Sequence, residues 1–264
     1  MAYRKDKDLV FLSEMKSEDL DGLVYCLTKD TDGETRWTEE LTSSENYKIN
    51  YPDHQKYWQE IAAEIQCFGA NTIATLFRGG EGVLYEEVLR DVADGLKVPY
   101  HKLDSVEVIE EKLLMQLIRG TLEKMTPDQL SELGREFFLG DLVSYSPEVM
   151  LGAFQAIFKA GGFKSYQLTL MVVNSVMRAI FGKGLTLAGN ATLMRAASVF
   201  TGPVGWLLTG LWTAWDVAGP ATRVTIPAVL QVAFLRKKYE MEKQNLINKI
   251  WKEMKGGDDD FVFG

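Results

Sequence analysis

Apolar residues along this chain recur three and four positions apart, the spacing of one helix face, and no segment alternates in twos between hairpin turns. Residues that start or stop helices frame each apolar stripe. Ser17 is placed as an N-cap before Leu20, Leu23, Val24 and Leu27, and Thr31-Asp32-Gly33 breaks the chain after them. Pro52-Asp53 opens a helix with Tyr57, Trp58, Ile61, Ile65 and Phe68 on one side and Gly69 at its end. Asn71 is placed to cap a short helix through Ile73, Leu76 and Phe77, which Arg78-Gly79-Gly80-Glu81-Gly82 terminates. Leu84, Tyr85, Val88, Leu89, Val92 and Leu96 make the next stripe. Asp104 with Glu107 has the spacing of a capping box before Ile109, Leu113, Leu114, Leu117 and Ile118. Thr126-Pro127-Asp128-Gln129 is a stronger start signal, with a cap, a proline at the first helical position and a Gln at the third. Ser146-Pro147-Glu148 repeats the logic for a helix through Phe154 and Phe158, which Gly161-Gly162 ends. The pattern predicts an all-α, multi-helix bundle.

Charge divides the chain. Residues 1–140 carry 28 acids against 16 bases, and residues 141–264 carry 9 acids against 13 bases. From Val149 to Leu235 there are six bases and one acid in 87 residues, and Arg236 to Lys255 reads as a charged helix with Leu246, Ile247, Ile250 and Trp251 as its apolar contacts. The expected organisation is a small helical domain over residues 1–50, an acidic helical domain over 51–145, an apolar cationic domain over 146–255 and a flexible acidic tail over 256–264. Opposite signs also allow the two halves to pack on each other. With 46% apolar and 25% charged residues the chain is not disordered. Its net charge of -8 argues against nucleic acid as a partner, because phosphate binding needs a surplus of Lys and Arg. Two cysteines, Cys26 and Cys67, make no disulfide framework and suit a reducing compartment. The charged start is followed only by the short apolar run Leu9-Val10-Phe11-Leu12, unlike a signal peptide. The location expected is the cytoplasm, with a peripheral position at the inner membrane as the alternative.

The most unusual stretch is Ala196 to Trp215, 20 residues without a charge. That is the length of a bilayer span, but Gly202-Pro203 interrupts it, and the 12 residues after the break make roughly 18 Å of helix against a hydrocarbon core of about 30 Å. A helical hairpin turning at Gly202-Pro203 is the better expectation. Gly184, Ala188, Thr192 and Ala196 make a ridge of small side chains before the turn, and Gly210, Ala214 and Ala218 make one after it. Such ridges let two helices approach closely. Two readings follow. In one the hairpin is buried in a soluble protein; in the other it docks on or enters a membrane, with Trp206, Trp212 and Trp215 as candidate lipid contacts. Arg195 beside the turn argues against deep insertion, since a charge at bilayer depth costs at least ~2.5 kcal/mol.

Catalytic chemistry has few candidates. His54 and His101 are 47 residues apart, no HExxH or Cys-x-x-Cys occurs, and neither a metal site nor a cofactor is expected. Cys26 and Cys67 read as core residues. Glu60 and Glu64 share a helix face but lack the Glu-x-x-His partners of a carboxylate-bridged metal site, and these two, like most of the other carboxylates, Glu110 among them, are expected on solvated faces. The glycine-rich loop at Arg78 follows a helix and lacks the Gly-Lys-Ser/Thr ending of a phosphate-binding loop, so it reads first as a helix–helix turn. Its second reading is an anion- or partner-binding site formed by Arg78, Gly79, Gly80, Gly82 and Tyr85 with the N–H groups of the next helix start.

The run Trp58-Gln59-Glu60-Ile61-Ala62-Ala63-Glu64-Ile65-Gln66-Cys67-Phe68-Gly69-Ala70-Asn71, followed by Arg78-Gly79-Gly80-Glu81-Gly82-Val83-Leu84-Tyr85, resembles the bacterial YaaW-type proteins, which are grouped by similarity with ubiquinol–cytochrome c chaperones. Asp6 to Leu12 with Glu18-Asp19-Leu20 resembles their N-terminal domain, and Arg223 to Ala233 their C-terminal signature. The resemblance brings no catalytic residues. It implies a non-enzymatic protein-binding or assembly-chaperone-like role at a membrane surface, with a protein partner whose identity the chain does not give. The competing expectations are a membrane-active effector with a sheltered hairpin and, last, a small-molecule enzyme using the Arg78 loop.

Overall fold

Between Val224 and Leu235 the sequence is apolar on every side of a helix, and a helix apolar all round belongs inside. In the computed structural model, which describes residues 2–36, 40–69, 82–136, 144–182, 197–205, 207 and 222–254, this stretch is the centre of the molecule. Val224, Ile226, Val229, Leu230, Val232, Ala233 and Leu235 are all buried. They belong to the helix Thr222–Met254, whose inner half is surrounded by the helices Ser17–Thr28 (α1), Trp58–Gly69 (α3), Tyr85–Gly95 (α4), Val106–Leu122 (α5) and Gly162–Phe181 (α8). The short helix Glu45–Asn50 (α2) lies beside α3's lead-in, and Pro127–Glu136 (α6) and Pro147–Ala160 (α7) pack on the α5 side. Thr222–Met254 is α9. The described residues are helical throughout apart from turns, 3-10 segments and bridge residues such as the isolated Lys29–Thr35 pair.

Side chains from the three expected helical segments form one continuous cluster that runs from Leu9 to Leu235. Opposite charge helps join the acidic and basic halves. Three consecutive bases of α9 meet acids of the first half: Arg236 Nε with Glu110 Oε2 at 2.9 Å, Lys237 Nζ with Glu111 Oε1 at 2.7 Å, and Lys238 with Asp19.

Punctuation was legible where cap and proline coincide. Thr126 and Gln129 exchange hydrogen bonds as a capping box at the start of α6, Thr126 N–H to Gln129 Oε1 at 2.9 Å and Gln129 N–H to Thr126 Oγ1 at 3.3 Å. Ser146 Oγ accepts from Val149 N–H at the start of α7, and Gly161, at φ 68°, closes that helix. α3 is helical through Gly69, and the residues that follow the expected stop lie outside the described ones.

Other expectations need correcting. Ser17 is not the cap of α1; the cap position is Lys16, and Ser17 Oγ donates to Asp53 Oδ1 at 2.6 Å while accepting from Gln55 N–H. A hydroxyl at a helix start can satisfy a distant loop as readily as its own helix. Asp104 likewise lies before the cap position Ser105; its carboxylate accepts from His101 N–H and pairs with Lys112 Nζ at 2.6 Å. The expected turn at Gly202-Pro203 is absent, since residues 197–205 are helical through it. Ala197, Phe200 and Val204 are buried on one face there, and that burial outweighs the lost proline hydrogen bond. Ser175 Oγ donates to Ala197 C=O at 3.0 Å, and Leu207 fits a notch in α5 where a Cβ on Gly120 would lie 2.8 Å from its Cδ1. The remainder of the expected hairpin, including Gly184, Ala188, Ala196, Gly210, Ala214 and Ala218, and Trp206, Trp212 and Trp215, lies outside the described residues.

α8 and α9 each carry a fully buried amide, Asn174 and Gln231, whose side-chain nitrogens and oxygens have no hydrogen-bond partner. An unpaired buried amide is a net cost, so Asn174→Leu and Gln231→Leu are each expected to stabilise the protein by about 1 kcal/mol. Urea unfolding midpoints check this; a fall in midpoint for both variants refutes it.

Candidate functional site

The described part of the glycine loop, Gly82 to Tyr85, leads into a cluster of buried polar groups. Gly82 passes so close to α3 that a Cβ there would lie 2.5 Å from the Gln66 carbonyl carbon, and Val83 N–H donates to Gln66 C=O at 3.1 Å. The Gln66 side chain is fully buried and pairs with the N-terminal segment, its Oε1 accepting from Arg4 N–H at 3.0 Å and its Nε2 donating to Arg4 C=O at 2.8 Å. That pairing places Asp6 over the start of α4. Asp6 Oδ2 accepts from Tyr85 N–H at 2.7 Å and from Gln66 Nε2 at 3.3 Å, and Oδ1 accepts from Asp8 N–H at 2.9 Å. A helix N-terminus favours an anion. Here one N–H of that terminus is taken by the chain's own carboxylate from 79 residues away. Arg78, Gly79 and Gly80 lie outside the described residues.

Tyr85 itself points inward. It is fully buried, and its hydroxyl donates to Glu110 Oε1 at 2.7 Å. Glu110, only 2% exposed, holds Arg236 through its other oxygen. Arg236 also donates to Asp8 C=O at 2.8 Å and lies over the Phe11 ring, 4.7 Å from its centroid. Burial pushes Glu110 above the usual carboxylate range while Arg236 pulls it back, and the net is upward. Burial opposes the charge on Arg236, but Glu110 more than offsets it and holds the guanidinium protonated. Burial, with Glu110 adjacent, drives the Tyr85 phenol well above its ordinary value. The arrangement is a closed clamp joining the N-terminal segment, α4, α5 and α9.

Glu110 was expected on a solvated face, and so was Glu64; both are 2% exposed. Glu64 accepts from Glu40 N–H at 3.3 Å, and Glu60, half-buried, accepts from Asn46 Nδ2. α3 and α5 are enclosed on more sides than a surface helix, so carboxylates on their stripes are drawn inside. No group of three or more His, Cys, Asp or Glu side chains suited to a metal occurs among the described residues. Cys26 is buried and its thiol is pushed up to about 12 by burial. Burial raises Cys67 as well, with Glu64 adding to it. Both are poor nucleophiles by that measure.

His54 is buried at the start of the 3-10 turn that leads into α3. Its Nε2 lies 2.8 Å from Asp21 Oδ1 and its Nδ1 meets the Tyr57 hydroxyl, the pattern of a neutral ring that donates at one nitrogen and accepts at the other. Burial lowers its pKa from 6.5, against an opposing pull from Asp21. The unfolded ring therefore takes a proton before the folded one does, and stability contributed above pH 6.5 is lost as pH falls through that value toward the folded pKa. Melting midpoints of the parent should drop between about pH 7.5 and 5.5 more than those of His54→Gln. Equal slopes in the two proteins would refute this.

The sequence reading missed Asp6, Gln66, Glu110 and Arg236. Glu110 and Arg236 carried a signal, because each falls within the apolar stripe of its own helix, between Val106 and Leu114 and after Val229 and Val232. Asp6 and Gln66 carried none, since their burial depends on pairing between distant segments. Among the described residues no helix is long and apolar enough to cross a membrane.

Comparison with known proteins bears on the whole of this architecture. The profile of a domain of unknown function, DUF3944, matches residues 3–37, and that of the ubiquinol–cytochrome C chaperone family matches residues 53–231. A UPF0174 protein of Helicobacter pylori strain J99 is 45% identical over 245 residues, covering 93% of this chain and 96% of the relative. The UPF0174 protein YaaW of Escherichia coli K12 is 35% identical over 240 residues, covering 89% of this chain and 95% of the relative. No solved structure matches the chain. With α1 inside the first profile and α3 through the first turns of α9 inside the second, the chain belongs to the UPF0174 family, the family of YaaW, and carries its similarity to the ubiquinol–cytochrome C chaperones.

Proposed function

We propose that this protein is a non-enzymatic helical binding protein that holds another protein in the manner of an assembly chaperone, working at a membrane surface. The observation that carries the reading is the chaperone-family match over residues 53–231, which takes in the clamp residues Gln66, Tyr85 and Glu110 and the start of α9 as far as Gln231. The chemistry of the interior supports it. The buried acid, base and phenol of the clamp are bound to one another, and the two thiols are held protonated. Packing supports a sheltered apolar segment, because Ala197, Phe200 and Val204 are buried.

The test joins partner capture with vesicle assays. Cross-linking in living cells should trap a protein client whose complex reassembles from purified components at fixed stoichiometry and is weakened by Arg78→Ala. Anionic vesicles should float with the parent chain, less so with Trp212→Ala, and keep a trapped dye from pH 5 to 8. Dye release would replace the chaperone reading with a membrane-active effector. Turnover of a small molecule, with a ligand-dependent rise in melting temperature, would replace it with an enzyme.

A further inference from the structure

The outer half of α9 leaves the body. From Glu240 to Met254 every residue but Met241 is exposed, about 22 Å of helix at ~1.5 Å per residue. Leu246, Ile247, Ile250, Trp251 and Met254 recur along it at steps of one, three, one and three and so share one face. They are open to solvent, Leu246 at 58% and Trp251 at 57%, which is unusual for large apolar side chains grouped on a single face. The same face carries Lys243 close to its centre.

We propose that this face pairs with the same face of a second copy, the two helices running antiparallel with Ile247 of each beside Ile250 of the other. Charge selects this occupant and this direction. In that register Lys243 of one copy falls beside Glu253 of the other, whereas parallel pairing would set Lys243 against Lys243. Length fits as well. The second copy's Met254 reaches the level of Lys243, about one turn short of Tyr239, which is bound to the body through Glu14 at 3.0 Å. A lipid surface suits the face less, because Lys249 and Lys252 lie on the opposite side of the helix and would point away from anionic headgroups. Five side chains per copy make a small interface, so the dimer is weak and concentration-dependent.

Sedimentation equilibrium of the full chain should show a monomer–dimer equilibrium with a Kd on the order of micromolar. Ile247→Asp with Ile250→Asp should weaken it at least ~100-fold while leaving the melting temperature unchanged, since both side chains are exposed. Lys243→Glu should weaken pairing about tenfold, and Lys243→Glu with Glu253→Lys should restore it. Mild oxidation should cross-link a mixture of Ile247→Cys and Ile250→Cys chains in preference to either variant alone. A parent chain that stays monomeric up to about 100 μM overturns the proposal. If that monomer floats with anionic vesicles through this face, the occupant is lipid; if removing residues 256–264 creates the dimer, the occupant is the chain's own tail. Preferential cross-linking of Ile247→Cys to itself overturns the antiparallel direction.

Discussion

Arg236→Met is expected to cost about 3–5 kcal/mol of folding stability at neutral pH, the largest effect of any single substitution considered for this protein. The guanidinium is the cation beside Glu110, and it also bonds the Asp8 carbonyl and covers Phe11. Without it Glu110 keeps the Tyr85 hydroxyl as a donor but loses its counter-charge in a site closed to water. The double variant Glu110→Leu with Arg236→Met should recover most of the loss, because the cost of burying both charges then disappears together. The deficit should also depend on pH in a defined direction. Glu110 already sits above 4.5 in the folded protein, and Arg236 is the main force lowering it. In Arg236→Met the folded pKa rises further above the unfolded value. The protonated carboxyl is then favoured by folding, and that stability is lost as pH rises through the folded pKa. The gap between parent and variant should therefore be widest at alkaline pH and narrow toward about pH 4.5. Urea titrations across that range measure it, and a deficit below about 1 kcal/mol at every pH would show that the clamp does not hold the fold together.

Gly82→Ala is expected to cost about 3 kcal/mol, near the upper end for overpacking, because the atoms that it meets belong to backbone. The new Cβ would fall 2.5 Å from the Gln66 carbonyl carbon and 2.6 Å from its oxygen. Relief requires the chain to withdraw from α3, which breaks the Val83–Gln66 hydrogen bond and pulls Tyr85 N–H from Asp6. Gly152 provides the control. It lies inside α7 with no atom within 4 Å of an added Cβ, so Gly152→Ala should be neutral or raise stability by up to about 1 kcal/mol. Thermal melting of both variants tests the pair of statements. A Gly82→Ala protein as stable as the parent would mean that this glycine serves something other than close approach to Gln66.

How much of this was visible in the sequence depends on how local each cause is. The caps at Thr126 and Ser146 and the stop at Gly161 are settled within a few residues, and they stand where the pattern placed them. Ser17 and Asp104 failed as caps because distant groups compete for the same oxygens, Asp53 and Gln55 in one case and His101 and Lys112 in the other. The break expected at Gly202-Pro203 weighed proline's local cost but not the burial of Phe200 and Val204 around it. For the clamp, Glu110 and Arg236 were readable as charges inside apolar stripes, and each implied an opposite charge across a helix contact. Asp6 at the start of α4 was not readable, because no spacing in a sequence says that a carboxylate will cap a helix far along the chain. The charge split between halves turned out to have a structural use, expressed in the contacts of Arg236, Lys237 and Lys238 with Glu110, Glu111 and Asp19.

The clamp has a consequence for how the protein is made. Arg236 reaches the Asp8 carbonyl across 228 positions of sequence, and Asp6 reaches Tyr85 across 79. A ribosome delivers the N-terminal segment well before α9. Asp8 must therefore wait, its partner unsynthesised, while the apolar faces of α1, α3, α4 and α5 emerge without the helix that covers them. Contacts of this span close slowly, because loop entropy is lost before any packing compensates for it. Synthesis of this protein passes through a period in which its own core stands open, and α9, which follows every other described helix, is the one that closes it.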